Sequence, residues 1–216
     1  MKRRFFIGAA ITLLLLQSHA LSQSQPQELP KYEVAGEFTT IERDDFQGSR
    51  TEPGFGGRFT FNLNRVFSLE AAGYYFPKEC FFCRNAGHIS EGLAGVKAGK
   101  RFEKWGVFAK ARPGVISYSE GTFNPFPLVG PAFPIVLERS RLTTFAMDVG
   151  GVVEFYPTKH LVTRFDAGDT IIHFGRRSFD AAVFNPADNT FTSTRITIPG
   201  TTTHNFQFIT SVGWRF

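Results

Sequence analysis

Past residue 20, this 216-residue sequence has no apolar run approaching the roughly 18 residues that a membrane-crossing helix requires, so a helical span is excluded there. Cysteine is nearly absent: Cys80 and Cys83 are the two, too few for a disulfide-built scaffold. Basic blocks are lacking as well. Three of the 24 Lys and Arg residues stand at positions 2–4, and without the first 20 residues the net charge falls from +5 to +2. Nucleic-acid binding therefore has no electrostatic footprint, and no nucleic-acid partner is expected. Methionine and tryptophan occur twice each, whereas phenylalanine occurs 26 times and glycine 21 times. That combination suits strands that show large apolar side chains to one environment and pack closely on the other face.

At the N-terminus, Lys2, Arg3 and Arg4 precede an apolar run from Phe5 to Leu16, followed by Ser18, His19 and Ala20. This is the three-part layout of a secretory signal peptide. The run is too short to span a bilayer as a helix. Cleavage is expected after Ala20, with Ser22 as the alternative. The expected organisation is a signal peptide over 1–20, a linker over 21–30 and one domain over 31–216. Such a chain is secreted, periplasmic, or inserted into a membrane as a barrel.

From Lys31 onward, apolar residues recur at every second position, the period of a strand. The alternation predicts eight strands, over 31–41, 54–63, 66–76, 92–101, 105–118, 144–156, 160–171 and 204–216. Each is close to the 9–11 residues that a tilted strand needs to cross the hydrocarbon layer. Pro113 cannot donate to a ladder, so a bulge or an irregular upper end is expected in the fifth strand. Tight turns at 62–65, 102–104 and 157–159 alternate with long connections at 42–53, 77–91, 119–142 and 172–203. Alternating short turns and long loops is the organisation of an even-stranded outer-membrane barrel, with long loops outside and both termini on the periplasmic side. The expected fold is all-β, an eight-stranded antiparallel up-and-down transmembrane β-barrel.

Periodicity alone does not say which face is inside. The phenylalanine content decides it, because a narrow eight-stranded lumen has little room for so many aromatic rings. The rings then face lipid, and the charges Arg58, Glu70, Lys97, Lys110, Arg112, Asp148, Glu154, Arg164, Asp166 and Arg215 point into the lumen. Both signs are present, so they are expected to pair and fill the lumen instead of lining a conducting channel. Trp105, Tyr156 and Trp214 are expected at the periplasmic interface, and Tyr74, Tyr75 and Tyr118 at the upper one.

The segment Phe-Gln-Phe-Ile-Thr-Ser-Val-Gly-Trp-Arg-Phe over 206–216 resembles the closing strand of outer-membrane barrels. Phe108 to Gly114 and Thr163 to Asp169 likewise resemble strands of the small OmpA-like, outer-membrane β-barrel-domain family. The resemblance covers nearly all of 31–216 and is one of pattern, with few fixed residues. It implies Sec-type export and an integral protein of the Gram-negative outer membrane, with an adhesive, protective or structural role. The implied partners are outer-membrane lipid, periplasmic chaperones and the barrel-assembly machinery. That machinery would read Phe206, Phe208, Val212, Trp214 and Phe216 as the insertion signal. No cofactor is expected.

Cys80 and Cys83 fall in the second long loop, where an exported context favours a local disulfide over redox chemistry. Zinc would need two more ligands, and His88 is the one near candidate. Phe81, Phe82, Phe123, Phe126 and Phe133 make the outer loops apolar enough either to meet an extracellular ligand or to bury one another over the barrel mouth. Pro125, Pro127, Pro131 and Pro134 stiffen the third loop. Lipid A-modifying barrels need a nucleophile and base near one rim. The imidazoles available are His88, His160, His173 and His204, and none has a serine at a motif spacing, so no enzyme is expected. An outer-membrane lipid A enzyme and a soluble lipocalin-like barrel remain the alternatives.

Overall fold

The computed structural model describes residues 29–45, 48–78, 87–124, 138–185, 187 and 190–216. The expected signal peptide, most of the linker, Cys80, Cys83, Phe81, Phe82, Phe126, Phe133 and the third-loop prolines lie outside them. Ten strands form: β1 (Tyr32–Asp45), β2 (Gly48–Asn62), β3 (Phe67–Phe76), β4 (Ile89–Arg101), β5 (Trp105–Asn124), β6 (Glu138–Phe155), β7 (Leu161–Phe174), β8 (Arg177–Asn185), β9 (Thr190–Ile198) and β10 (Thr201–Arg215). Eight of them close a barrel in the order β1-β10-β7-β6-β5-β4-β3-β2, all neighbours antiparallel. The seam is β1 against β10, in register from Glu33↔Arg215 to Ile41↔Gln207.

The registers fix the stagger of the wall. Cross-strand neighbours lead from Ile41 through Gln207, Gly168, Gly150, Lys110, Lys97, Ser68 and Asn62, and the Asn62 N–H to Lys31 O bond closes the circuit ten residues lower on β1. A stagger of that size on eight strands requires a tilt of roughly 40° to the barrel axis.

Three features depart from the sequence reading. The strands run past the expected membrane limits: β1 and β2 pair as far as Asp45↔Gly48, and β5 and β6 as far as Asn124↔Glu138. Hydrophobic alternation is weak in the sequence of these extensions, 42–53 and 119–142, which carry charged and small residues in place of a regular apolar series. The fourth long connection contains a separate hairpin, β8–β9, paired from Arg177↔Ile198 to Asn185↔Thr190. Pro113 causes no bulge. The β4–β5 ladder lapses between Leu93↔Gly114 and Val96↔Ala111 and resumes in the same register, while the register shift in β5–β6 falls higher, between Tyr118 and Thr122. Pro113 therefore costs ladder bonds without displacing the strand.

Burial alternates strictly along β3, with Ser68, Glu70, Ala72, Tyr74 and Phe76 buried and Phe67, Leu69, Ala71, Gly73 and Tyr75 exposed. The same parity holds along β10 from Asn205 to Arg215. Exposed Val34, Phe38, Phe55, Phe59, Val107 and Phe165 continue an apolar wall around the barrel. At its lower edge the rings meet: Tyr32 stacks on Phe61 at 5.4 Å, Phe102 on Trp105 at 4.3 Å and His160 on Trp214 at 5.3 Å. Inside, glycine makes room. A Cβ at Gly95 would sit 2.1 Å from Ala111 O and 2.6 Å from Arg112 Cα, so a bare position is needed where β4 closes on β5.

Val96 and Val66 are each 47 % exposed, yet Val96 lies mid-wall on β4 and Val66 in the turn before β3. In lipid vesicles, Val96→Arg should lower the unfolding free energy by about 2–4 kcal/mol and Val66→Arg by no more than about 1 kcal/mol, measured by urea titration. Equal effects at the two sites would contradict a lipid-facing wall.

Candidate functional site

Every barrel strand sends at least one charge inward, and the lumen is where they meet. Near the end that carries the short turns and the C-terminus, Glu33 of β1 lies 3.4 Å from Arg215 Nε of β10 and 3.8 Å from Arg101 Nη2 of β4. Asn62 donates to Glu33 at 3.0 Å. Tyr156 joins this layer: its hydroxyl donates to Glu154 at 2.8 Å and accepts from Arg101 Nε at 3.0 Å, and the Arg215 guanidinium lies 4.1 Å from its ring centroid.

Glu70 of β3 is the hub of the middle layer. Four bases surround it: Arg164, which donates from both terminal nitrogens, Arg58 and Lys97 at 3.4 Å each, and Arg112 at 3.8 Å. Arg58 also reaches Glu37 at 2.8 Å, and Tyr74 donates to the other oxygen of Glu37 at 2.6 Å. Lys97 pairs with Glu154. Arg164 forks onto Asp166 at 2.5 and 2.7 Å. Lys110 bridges Asp148 and Asp166 at 2.8 and 3.1 Å, and Arg112 holds Asp148 at 2.5 Å. Seven bases and six acids thus share one network. Buried ions are tolerable on these terms because each has a partner of opposite charge, although Glu33 Oε2, Arg112 Nη1, Asp148 Oδ1 and Arg215 Nε make no hydrogen bond.

Above the ions the lumen changes character. Gln207 donates to Thr39 and to Glu91, each at 3.1 Å, and accepts from Thr170 at 2.5 Å. Past this belt, Ile41, Phe76, Ile89, Ile116 and Ile172 pack together with Tyr118 as a largely apolar collar toward the long loops, with Glu52 buried beside Ile41. The interior is thus closed twice, by paired charge below and by hydrocarbon above.

Outside apolar, inside charged and filled, closed by eight strands staggered by ten residues: this is a membrane barrel turned the opposite way from a soluble one. No family model and no curated sequence matches the chain. Among solved structures it is similar to Neisserial surface protein A, with a TM-score of 0.50, 12 % identity, and 86 % of this chain and 97 % of that chain covered. It also matches the N-terminal β-barrel domain of Pseudomonas aeruginosa OprF (TM-score 0.48, 10 % identity, 85 % and 97 % covered). A third match is Ail, the attachment invasion locus protein of Yersinia pestis (TM-score 0.47, 12 % identity, 87 % and 100 % covered). The chain has the fold of the small eight-stranded outer-membrane β-barrels.

Within this outer-membrane-barrel fold, all ten charges expected in the lumen are buried there. Glu33, Glu37, Glu91 and Arg101 share their strand parity and belong with them, so alternation alone could have placed them. Three tyrosines expected at the interfaces point inward instead: Tyr74, Tyr118 and Tyr156 are buried, while Tyr75, Trp105 and Trp214 are exposed on the outer wall. Each buried ring sits on the inward parity of its strand, and the Tyr74 and Tyr156 hydroxyls find ionic partners in the lumen. Their aromatic character suggested the membrane interface, but position decides. Phe206, Phe208, Val212, Trp214 and Phe216 are exposed on the outer wall. The imidazoles spread out: the His160 ring bonds Arg215 O at 3.2 Å, the His173 ring Thr202 Oγ1 at 3.0 Å and the His204 ring Asp169 at 2.6 Å, while His88 packs on Tyr75 at 5.3 Å. Among the described residues no imidazole nitrogen is hydrogen-bonded to a serine.

Truncating Arg164 leaves Glu70 and Asp166 short of their shared partner. Arg164→Met should destabilise the barrel by about 3–5 kcal/mol, and Arg164→Met combined with Glu70→Met by less than the sum of the two single losses. A double-mutant cycle in urea measures this, and additive losses would show that the pair is not coupled.

Proposed function

We propose that this chain is an integral outer-membrane protein of structural or surface-interaction type, adhesive or protective, whose lumen does not conduct. The observation that supports it most is the double closure of the interior, the Glu70-centred ion network beneath the Ile41–Phe76–Ile116 collar. A solute passing through would have to break several buried ion pairs and then cross an apolar constriction. With the lumen filled, function falls to the surfaces outside it. The strands extend beyond the apolar wall on the side of the long connections, and the β8–β9 hairpin adds a further ordered element there. These are the surfaces on which an extracellular ligand would be met.

On this reading residues 1–20 direct export, 21–30 form a linker, and 31–216 form the barrel, which reaches the outer membrane through periplasmic chaperones and the assembly machinery. Cys80 and Cys83 form a local disulfide in the exposed second loop. Phe206, Phe208, Val212, Trp214 and Phe216 act as the assembly signal on the strand that closes the seam. No catalysis and no cofactor are involved.

The protein should fractionate with outer membranes and migrate differently in SDS gels before and after boiling. Purified and inserted in planar bilayers, it should show no stepwise conductance. A soluble periplasmic product without a heat-dependent shift would overturn the membrane assignment, and reproducible channel openings would overturn the closed lumen alone.

A further inference from the structure

On the outer wall of β7 and β10 a polar island interrupts the otherwise apolar surface. Asp169 and His173 of β7 and Thr202 and His204 of β10 all stand on the outward parity, alternating with inward Thr170, Ile172 and Asn205. Thr202 pairs directly with His173, and His204 lies diagonally between His173 and Asp169. The barrel climbs ten residues per circuit of eight strands, so equal heights lie about one residue further along each successive strand. That places the island level with Tyr75, Val115, Phe145 and Phe206, the last large apolar side chains of the wall, where hydrocarbon gives way to headgroups.

The island is built to present imidazole nitrogen outward. Asp169 turns back into the protein, one oxygen accepting the Asn205 N–H at 2.9 Å and the other binding His204 Nδ1 at 2.6 Å. His173 Nδ1 is held by Thr202 at 3.0 Å. In both rings Nε2 is the nitrogen left for a ligand, and the His204 side chain is 69 % exposed. Just above lie Arg141 on β6 and Arg176 after β7, both exposed and, among the described residues, neither paired with a carboxylate. The carboxylate on the next strand, Glu42 of β1, has a partner of its own.

We infer that the His173–His204 island, with Arg141 and Arg176 above it, is a binding site for the phosphate group of a membrane lipid. A tetrahedral oxyanion at headgroup height accepts hydrogen bonds from imidazole Nε2–H groups and a guanidinium together, His204 donating from Nε2 as the imidazolium because its Nδ1–H is already given to Asp169. The source is a lipid because the island faces the bilayer edge and not the lumen or the loops. The inference rests on the membrane assignment above.

The test uses the full-length mature protein in phosphatidylcholine vesicles containing spin-labelled phosphatidic acid. The wild type should select phosphatidic acid over phosphatidylcholine. His173→Ala/His204→Ala should lower that relative affinity by about fivefold or more, the effect of losing the imidazole hydrogen bonds to a charged group. His88→Ala, at similar height on the far side of the barrel, should leave it unchanged. No selectivity in the wild type, or selectivity that survives the double variant, overturns the site. Loss of selectivity on adding millimolar inorganic phosphate would assign the island to the free anion and overturn the lipid. Failure of the membrane assignment shows separately, as a chain that does not insert and has no heat-dependent gel shift.

Discussion

A lumen bounded by eight strands is about one layer of side chains wide, and a charge turned into it cannot be hydrated as it would be in water. Its counter-ion has to come from another side chain turned into the same lumen. In this molecule that requirement organises the interior: Glu70 draws bases from β2, β4, β5 and β7, while Glu33 joins the seam strand β10 to β4. Backbone ladders connect each strand to two neighbours, and the ion network connects strands that are not neighbours. Removing one member therefore does more than open a hole, because the partners it leaves remain charged and dry. The interior is correspondingly polar where a soluble barrel would have its core.

The apolar collar shows that inversion is not uniform along the axis. Toward the long loops, most inward positions revert to isoleucine, phenylalanine and tyrosine, with Glu52 buried beside Ile41 and Arg43 over the Tyr118 ring, and the barrel carries a small hydrophobic core inside its membrane wall. The wall outside and the collar inside bury hydrocarbon against different phases. The outer residues depend on lipid, whereas the collar packs against itself. Between the ion network and the collar lies the Gln207 belt, whose amide joins Thr39 on one side to Glu91 on the other and grades charge into hydrocarbon.

Much of this could be read from the sequence, since the barrel uses the simplest code available, one residue in and one residue out. The eight barrel strands, the alternation of short turns with longer connections, the β1–β10 seam and the inward set of charges all follow from parity. The tyrosines did not, because a ring with a hydroxyl suits an interface as well as an ionic lumen, and only the register of Tyr74 with Glu70 and of Tyr156 with Glu154 tells them apart. Strand extensions beyond the wall were hidden because residues 42–53 and 119–142 carry no regular apolar alternation. The β8–β9 hairpin lacked a membrane-length signal, although Thr190–Ile198 is rich in β-branched residues. The collar was within reach: Ile41, Ile116 and Ile172 share parity with Glu37, Arg112 and Thr170, but apolar residues on a polar face read as noise until the axial order is known.

The closed circuit of registers has a kinetic meaning. Seven of the eight barrel ladders join strands adjacent in the chain, or separated only by the β8–β9 hairpin, and each can form by local zippering once its turn is made. The eighth, from Glu33↔Arg215 to Ile41↔Gln207, links the two ends of the domain and closes the largest loop in the molecule. Its strands stay open-edged until the others are in place, and a one-residue slip anywhere upstream would present the wrong face of β10 to β1. The last pairing to form is therefore the one that checks all the others.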